Sequence, residues 1–200
     1  MALPALLLCP LWSAGAAAQI CAGRQTFNAA PVQAGAGVRA SPSAAALSGN
    51  LGFGTNTLFG VVSGSRATAE ESPGQYTLEA LFGSDQPMTV DNRVHFCPVL
   101  GLGYHWPDGG AAIGEGAVAR AAVHISRLVI NSHERVVAPT AALELVWDPD
   151  AAGRRETAAI ASGGLGVLFR SGFSLQAGLG VRLGTRRREP LVVLEGRYGF

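Results

Sequence analysis

Four histidines, fourteen carboxylates and fifteen basic residues, every one an arginine, are the chemical equipment of this 200-residue chain. His124-Ile125-Ser126 sets an imidazole two residues from a hydroxyl, so a histidine base could activate a serine nucleophile. His105 stands within a dozen residues of Asp108 and Glu115, one base beside two acids. Arg154-Arg155 and Arg186-Arg187-Arg188 are two runs of guanidinium groups, whose planar forks suit phosphate. Cys/His spacing of the zinc type, a phosphate-binding P-loop and a nucleophile elbow are all lacking. One histidine near two acids is a common coincidence. The sequence therefore assigns no catalytic residue, no metal site and no cofactor.

The elements that would position these groups are announced by composition. Hydrophobic residues make up 48%, charged residues 14%, mean hydropathy is +0.26 and 27 positions are glycine. A water-soluble domain carries about 25% charge and about 7% glycine. The apolar content excludes a disordered chain, and a net charge of +1 gives no electrostatic case for a nucleic-acid partner. A helical membrane protein is excluded too, because only the N-terminus holds a long apolar run. What is left is a β-rich chain with more apolar surface than a buried core needs.

Residues 2–18 resemble a secretory signal peptide: an apolar stretch closing on Ala16-Ala17-Ala18, with cleavage expected near Ala18-Gln19. No Arg or Lys precedes the apolar run, a departure from the usual pattern. Residues 19–30 are then expected to form a short N-terminal segment and 31–200 a single domain. Removal of the signal leaves two cysteines, Cys21 and Cys97, and an even count in an oxidising compartment suggests one disulfide.

Along the mature chain the dominant pattern is alternation with period two. Phe173, Leu175, Ala177, Leu179, Val181 and Leu183 share one face, opposite Ser174, Gln176, Gly178, Gly180 and Arg182. Runs of this kind between turn signals predict about ten strands, near 32–40, 44–53, 58–67, 75–83, 94–106, 116–127, 136–148, 157–169, 172–184 and 190–200. The count falls to eight if the first two runs form a periplasmic extension. Strand lengths near 9–11 residues suit a tilted crossing of a bilayer. The polar face is mostly Gly, Ser, Ala and single charges, which suits a narrow lumen.

Aromatic placement agrees. With both termini in the periplasm, Phe53, Phe59, Phe82, Phe96, Phe169, Phe173 and Phe200 fall at periplasmic strand ends. Tyr76, Tyr104, Trp106 and Trp147 fall at outer ends, so two interfacial girdles are expected. Cys97 then sits on the periplasmic rim, where a bond to Cys21 would pin the N-terminal segment to the barrel.

The chain ends in Gly196-Arg197-Tyr198-Gly199-Phe200, with Tyr198 two residues before a terminal Phe200. This resembles the C-terminal signal that outer-membrane barrels present to their assembly machinery, although Glu195 occupies a position that usually carries Gly. Residues 31–200 resemble the small outer membrane protein beta-barrel domain family of Gram-negative bacteria. The resemblance implies an all-β, up-and-down antiparallel transmembrane barrel in the bacterial outer membrane and leaves the specific role open. Among barrels of that membrane, His124-Ile125-Ser126 resembles the His-x-Ser of lipid A deacylases, with Arg127 where Asn is expected. The group of His105, Asp108 and Glu115 loosely resembles the acids and histidine of omptin-type proteases.

Alternation places Arg39, Glu79, Arg120, His124, Glu144, Arg182, Glu195 and Arg197 inward. Charges in a narrow barrel must pair to offset desolvation, so an Arg/Glu network plugging the lumen is expected. A small channel for ions or small solutes is the alternative, a lipid A hydrolase the third reading and a soluble exported barrel the outsider. Arg154, Arg155, Arg186, Arg187 and Arg188, at the outer face, are candidates to contact the phosphates of lipopolysaccharide. The expected partners are outer-membrane lipid, lipopolysaccharide and the assembly machinery, with a monomer as the default state.

Overall fold

The computed structural model describes residues 32–54, 57–69, 72–108, 115–132, 134–149, 155–184 and 188–199. The expected signal peptide, the N-terminal segment with Cys21, and Phe200 lie outside them. Ten long strands form the wall: β1 (Val32–Ala40), β2 (Ala44–Gly54), β3 (Leu58–Ala69), β4 (Ser72–Ser84), β6 (Val94–Pro107), β7 (Gly116–Arg127), β9 (Arg135–Pro149), β10 (Arg155–Phe169), β11 (Phe173–Gly184) and β12 (Arg188–Gly199). Two short strands, β5 (Gln86–Pro87) and β8 (Ile130–Asn131), extend the wall beside β6 and β9.

Each long strand pairs antiparallel with the next, and β1 closes on β12 from Gln33↔Gly199 to Ala40↔Val192. The result is a ten-stranded up-and-down barrel, not eight-stranded. Closure removes the exposed edges that an open sheet would present. Expected and observed strand ends agree within three residues. Eight of the ten exceed eleven residues, and β9 and β10, at fifteen each, run furthest past the length that a bilayer crossing needs. The alternation missed β5 and β8, which are too short to show a period.

Which face is outside is settled by exposure. Leu47, Leu100, Leu102, Leu143, Leu179 and Leu194 all stand exposed on the wall, while their polar neighbours turn inward. So large a continuous apolar exterior fits lipid and not water. Val32 and Gly199 mark the terminal end of the barrel. At that end Phe53, Phe82, Phe169, Phe173 and Tyr198 face outward, and Tyr76, Tyr104 and Trp106 occupy the opposite end of the wall. Phe59 is the correction. It points inward and is 8% exposed, packed with Cys97, Val99, Ala122 and Leu81, because its parity in β3 is that of the lumen-facing Val61 and Ser63.

The interior is layered. At the terminal end lie two apolar clusters, Leu128, Val136, Ala138 and Leu168, and the group around Phe59. At the opposite end lie Val118, Val146, Ile160 and Leu191. The charged residues fill the space between. Connections at the terminal end are tied down: Asp85 and His95 form a buried pair at 2.7 Å, and the Leu128 amide donates to the Arg93 carbonyl. The β10–β11 turn depends on Gly172, whose φ of 84° few side chains tolerate.

Candidate functional site

The middle layer of the lumen is built on glycines. Glu79 on β4 and Arg120 on β7 are separated by β6, whose inward positions at this level are Gly101 and Gly103. A Cβ at Gly101 would meet Leu81 Cδ2, and would lie 2.9 Å from a Glu79 carboxylate oxygen. With no side chain there, Arg120 reaches over β6. Its Nε donates to Glu79 Oε1 at 2.8 Å and its Nη2 to Oε2 at 3.3 Å. Its Nη1 donates to Glu144 on β9. One guanidinium thus bridges two carboxylates that are 6% and 8% exposed.

The same device recurs across β1. Asn50 on β2 and Arg197 on β12 both lie opposite Gly35, where a Cβ would fall 2.6 Å from Arg197 Cγ. Asn50 Nδ2 donates to Glu195 Oε1 at 2.7 Å, and Arg197 grips Glu195 through Nε at 2.8 Å and Nη2 at 2.6 Å. Arg39 lines the same space, in the field of Glu144, Glu79 and Glu195. Three arginines and three glutamates therefore balance in this layer. Around them runs a cavity of about 260 Å³, lined also by Ser48, Ser63, Thr140 and Ser162. Arg197 Nη1 is buried with no protein acceptor among the described residues, a donor of the kind that internal water satisfies.

Six of the seven residues expected in a lumen network, Arg39, Glu79, Arg120, Glu144, Glu195 and Arg197, meet here. Arg182 also points inward but does not line the cavity; its Nη2 lies 3.9 Å from Glu156 on β10. Asn50 and Glu156 were missed. Alternation marks both as inward, but nothing in the sequence tells which residues from distant staves will meet.

The two hydrolytic motifs lie at opposite ends of the barrel. His124 lines the lumen cavity and Ser126 is 1% exposed on the same inner face, so neither meets the lipid that a deacylase would attack. The group of His105, Asp108 and Glu115 is dispersed. His105 bonds Thr77 and Gln75 inside the barrel, Asp108 pairs with Arg66 at 2.7 Å, and Glu115 accepts from Tyr104. Among the described residues no His/Cys/Asp/Glu group could hold a metal ion. Cys97 is fully buried on the inner face at the terminal end. Arg155 and Arg188 open β10 and β12 at the opposite end, whereas Arg154, Arg186 and Arg187 lie outside the described residues. Tyr198 faces outward at the terminal end.

A closed, antiparallel, ten-stranded barrel with an apolar exterior and a charged interior is the fold of bacterial outer-membrane β-barrel domains. Comparison with one solved structure agrees. The chain is similar to the beta domain of the Bordetella autotransporter BrkA, with a TM-score of 0.53 and 10% identity over 84% of this chain and 98% of that one. The translocator domain of the autotransporter NalP from Neisseria meningitidis aligns at a TM-score of 0.44 and 12% identity, over 85% of this chain and 88% of that one. The N-terminal β-barrel domain of Pseudomonas aeruginosa OprF aligns at 0.38 and 15%, over 84% and 96%. No protein-family model matches the sequence, and no curated protein does.

Proposed function

We propose that this chain is an integral outer-membrane barrel with a side-chain-plugged lumen and a structural or surface role, without enzymatic activity. One observation carries the reading: Arg39, Arg120 and Arg197 balance Glu79, Glu144 and Glu195 midway along the lumen, between two apolar layers. Paired charges at this depth fill space that a diffusion pore would leave open, and a ten-stranded wall is barely wider than one side chains fill completely.

The signal-like residues 2–18, cleaved near Ala18-Gln19, support export. The girdle of Phe53, Phe82, Phe169, Phe173 and Tyr198 supports a periplasmic terminal end. A Cys21–Cys97 disulfide would tie the N-terminal segment to that end. Tyr198 and Phe200 would address the chain to the barrel assembly machinery. The arginines at 154, 155, 186, 187 and 188 would contact lipopolysaccharide phosphates around a monomeric barrel. Membrane fractionation with heat-modifiable gel migration tests the reading. The expected result is an outer-membrane band that shifts on boiling; a soluble periplasmic protein with no shift would overturn it.

The second reading is a small channel, favoured by the 260 Å³ cavity beside the charges. It requires conductance steps in a planar bilayer, where the plugged barrel gives none.

A further inference from the structure

The outer wall carries a cation that the lumen does not explain. Arg66 on β3, Tyr76 on β4 and Trp106 on β6 are direct cross-strand neighbours, in register Arg66↔Tyr76 and Tyr76↔Trp106. The Arg66 guanidinium carbon lies 5.6 Å from the Tyr76 ring centroid, and the Tyr76 and Trp106 rings stack at 6.0 Å. Arg66 is exposed on the wall, at the level of the aromatic girdle farthest from the termini. Long arginine side chains hold their heads at this depth, where lipid phosphates lie.

The wall beneath the cluster is hollowed. Gly49 and Gly64 are paired neighbours, both exposed. A Cβ built on Gly64 meets nothing within 4 Å, and one on Gly49 meets only the Gly35 carbonyl, at 4.0 Å. Leu47, Leu51, Val62 and Leu78 stand exposed around this saddle. Among the described residues Asp108 is the carboxylate paired with Arg66: its Oδ2 accepts from Nη2 at 2.7 Å and engages one edge of the guanidinium.

We propose that Arg66, Tyr76 and Trp106, with the Gly49–Gly64 saddle below them, form a binding site for a phosphate-bearing acylated lipid of the outer leaflet. Arg66 and the Tyr76–Trp106 shelf take the phosphate and its sugar or glycerol edge, and one acyl chain lies in the saddle. Asp108 holds the guanidinium over the ring and weakens phosphate binding at the same time. The inference rests on the proposed outward orientation of this end, and it names a site separate from the loop arginines.

The test is native mass spectrometry of the folded, heat-modifiable full-length mature protein, titrated with bisphosphorylated hexa-acyl lipid A. Dephosphorylated lipid A, phosphatidylglycerol and inorganic phosphate are the comparison probes. Wild type should hold lipid A and lose it when the phosphates are removed. Arg66→Ala should weaken it roughly tenfold, the loss of one charge-assisted contact. Asp108→Asn should tighten it, and Gly64→Leu should weaken lipid A while leaving inorganic phosphate unchanged. Equal retention of phosphatidylglycerol would assign the site to phospholipid, not lipid A, and overturn the choice of leaflet. Unchanged retention in Arg66→Ala, with loss on replacing Arg154, Arg155, Arg186, Arg187 and Arg188, would overturn this site and leave the loop arginines as the contact. No retention by wild type would overturn both.

Discussion

Arg120 and Glu79 stand on strands that do not pair, and they meet at 2.8 Å across β6 because Gly101 and Gly103 leave no side chain between them. Asn50 and Arg197 meet around Glu195 across β1 in the same manner, over Gly35. The glycines of the inner face therefore set the range of the charges: they let two clusters, each three staves or more wide, assemble in a barrel of small bore.

Removing the central cation should be costly. Arg120→Ala leaves Glu79 and Glu144 buried without their counter-charge, and should destabilise the barrel by about 3–5 kcal/mol. Replacing Arg120, Glu79 and Glu144 together by apolar residues of similar size should recover much of that loss. Equilibrium unfolding in urea from lipid vesicles measures both; equal destabilisation by the single and triple replacements would show that the pairing matters little.

Filling the gap should act on the same cluster without touching a charge. Gly101→Val places carbon against Leu81 and the Glu79 carboxylate, and should cost about 1–3 kcal/mol by overpacking. Gly64→Val, on the open outer wall, should leave stability nearly unchanged. The same urea titration separates the two, and similar losses at both sites would contradict the account of the inner glycines.

How much of this was legible in the sequence follows from period and parity. Alternation gave about ten strands and the inward set that contains Arg39, Glu79, Arg120, Glu144, Glu195 and Arg197, while the up-and-down order came from the family resemblance. It did not give partners, because register between strands far apart in the chain, such as β2 and β12, is fixed by closure of the whole sheet. Phe59 shows a second limit: position along the strand suggested a girdle residue, and parity placed it inside. His124 and Ser126 matched a catalytic spacing, yet two residues apart on a strand means one shared face, and that face is the lumen.

The cysteines give a covalent prediction. Non-reducing peptide mapping of the exported protein should recover Cys21 joined to Cys97, and loss of the bond in Cys21→Ser should lower stability by about 2–4 kcal/mol. Two free thiols would rule it out.

The turn at Gly172 gives a local one. Gly172→Ala forces a side chain into a φ of 84° and should cost about 1 kcal/mol or more. Gly184→Ala, in regular strand, should cost less. Unfolding midpoints that rank the two the other way would contradict the role given to Gly172.

Conductance tests the plugged lumen most directly. The purified, heat-modifiable barrel is inserted in a planar bilayer with molar salt on both sides, and current is recorded at both polarities. The balanced charges and the two apolar layers predict a silent membrane with no discrete steps. Uniform, reproducible steps from the wild-type protein would mean that the lumen is open, and would make the cavity beside Arg39 a pathway.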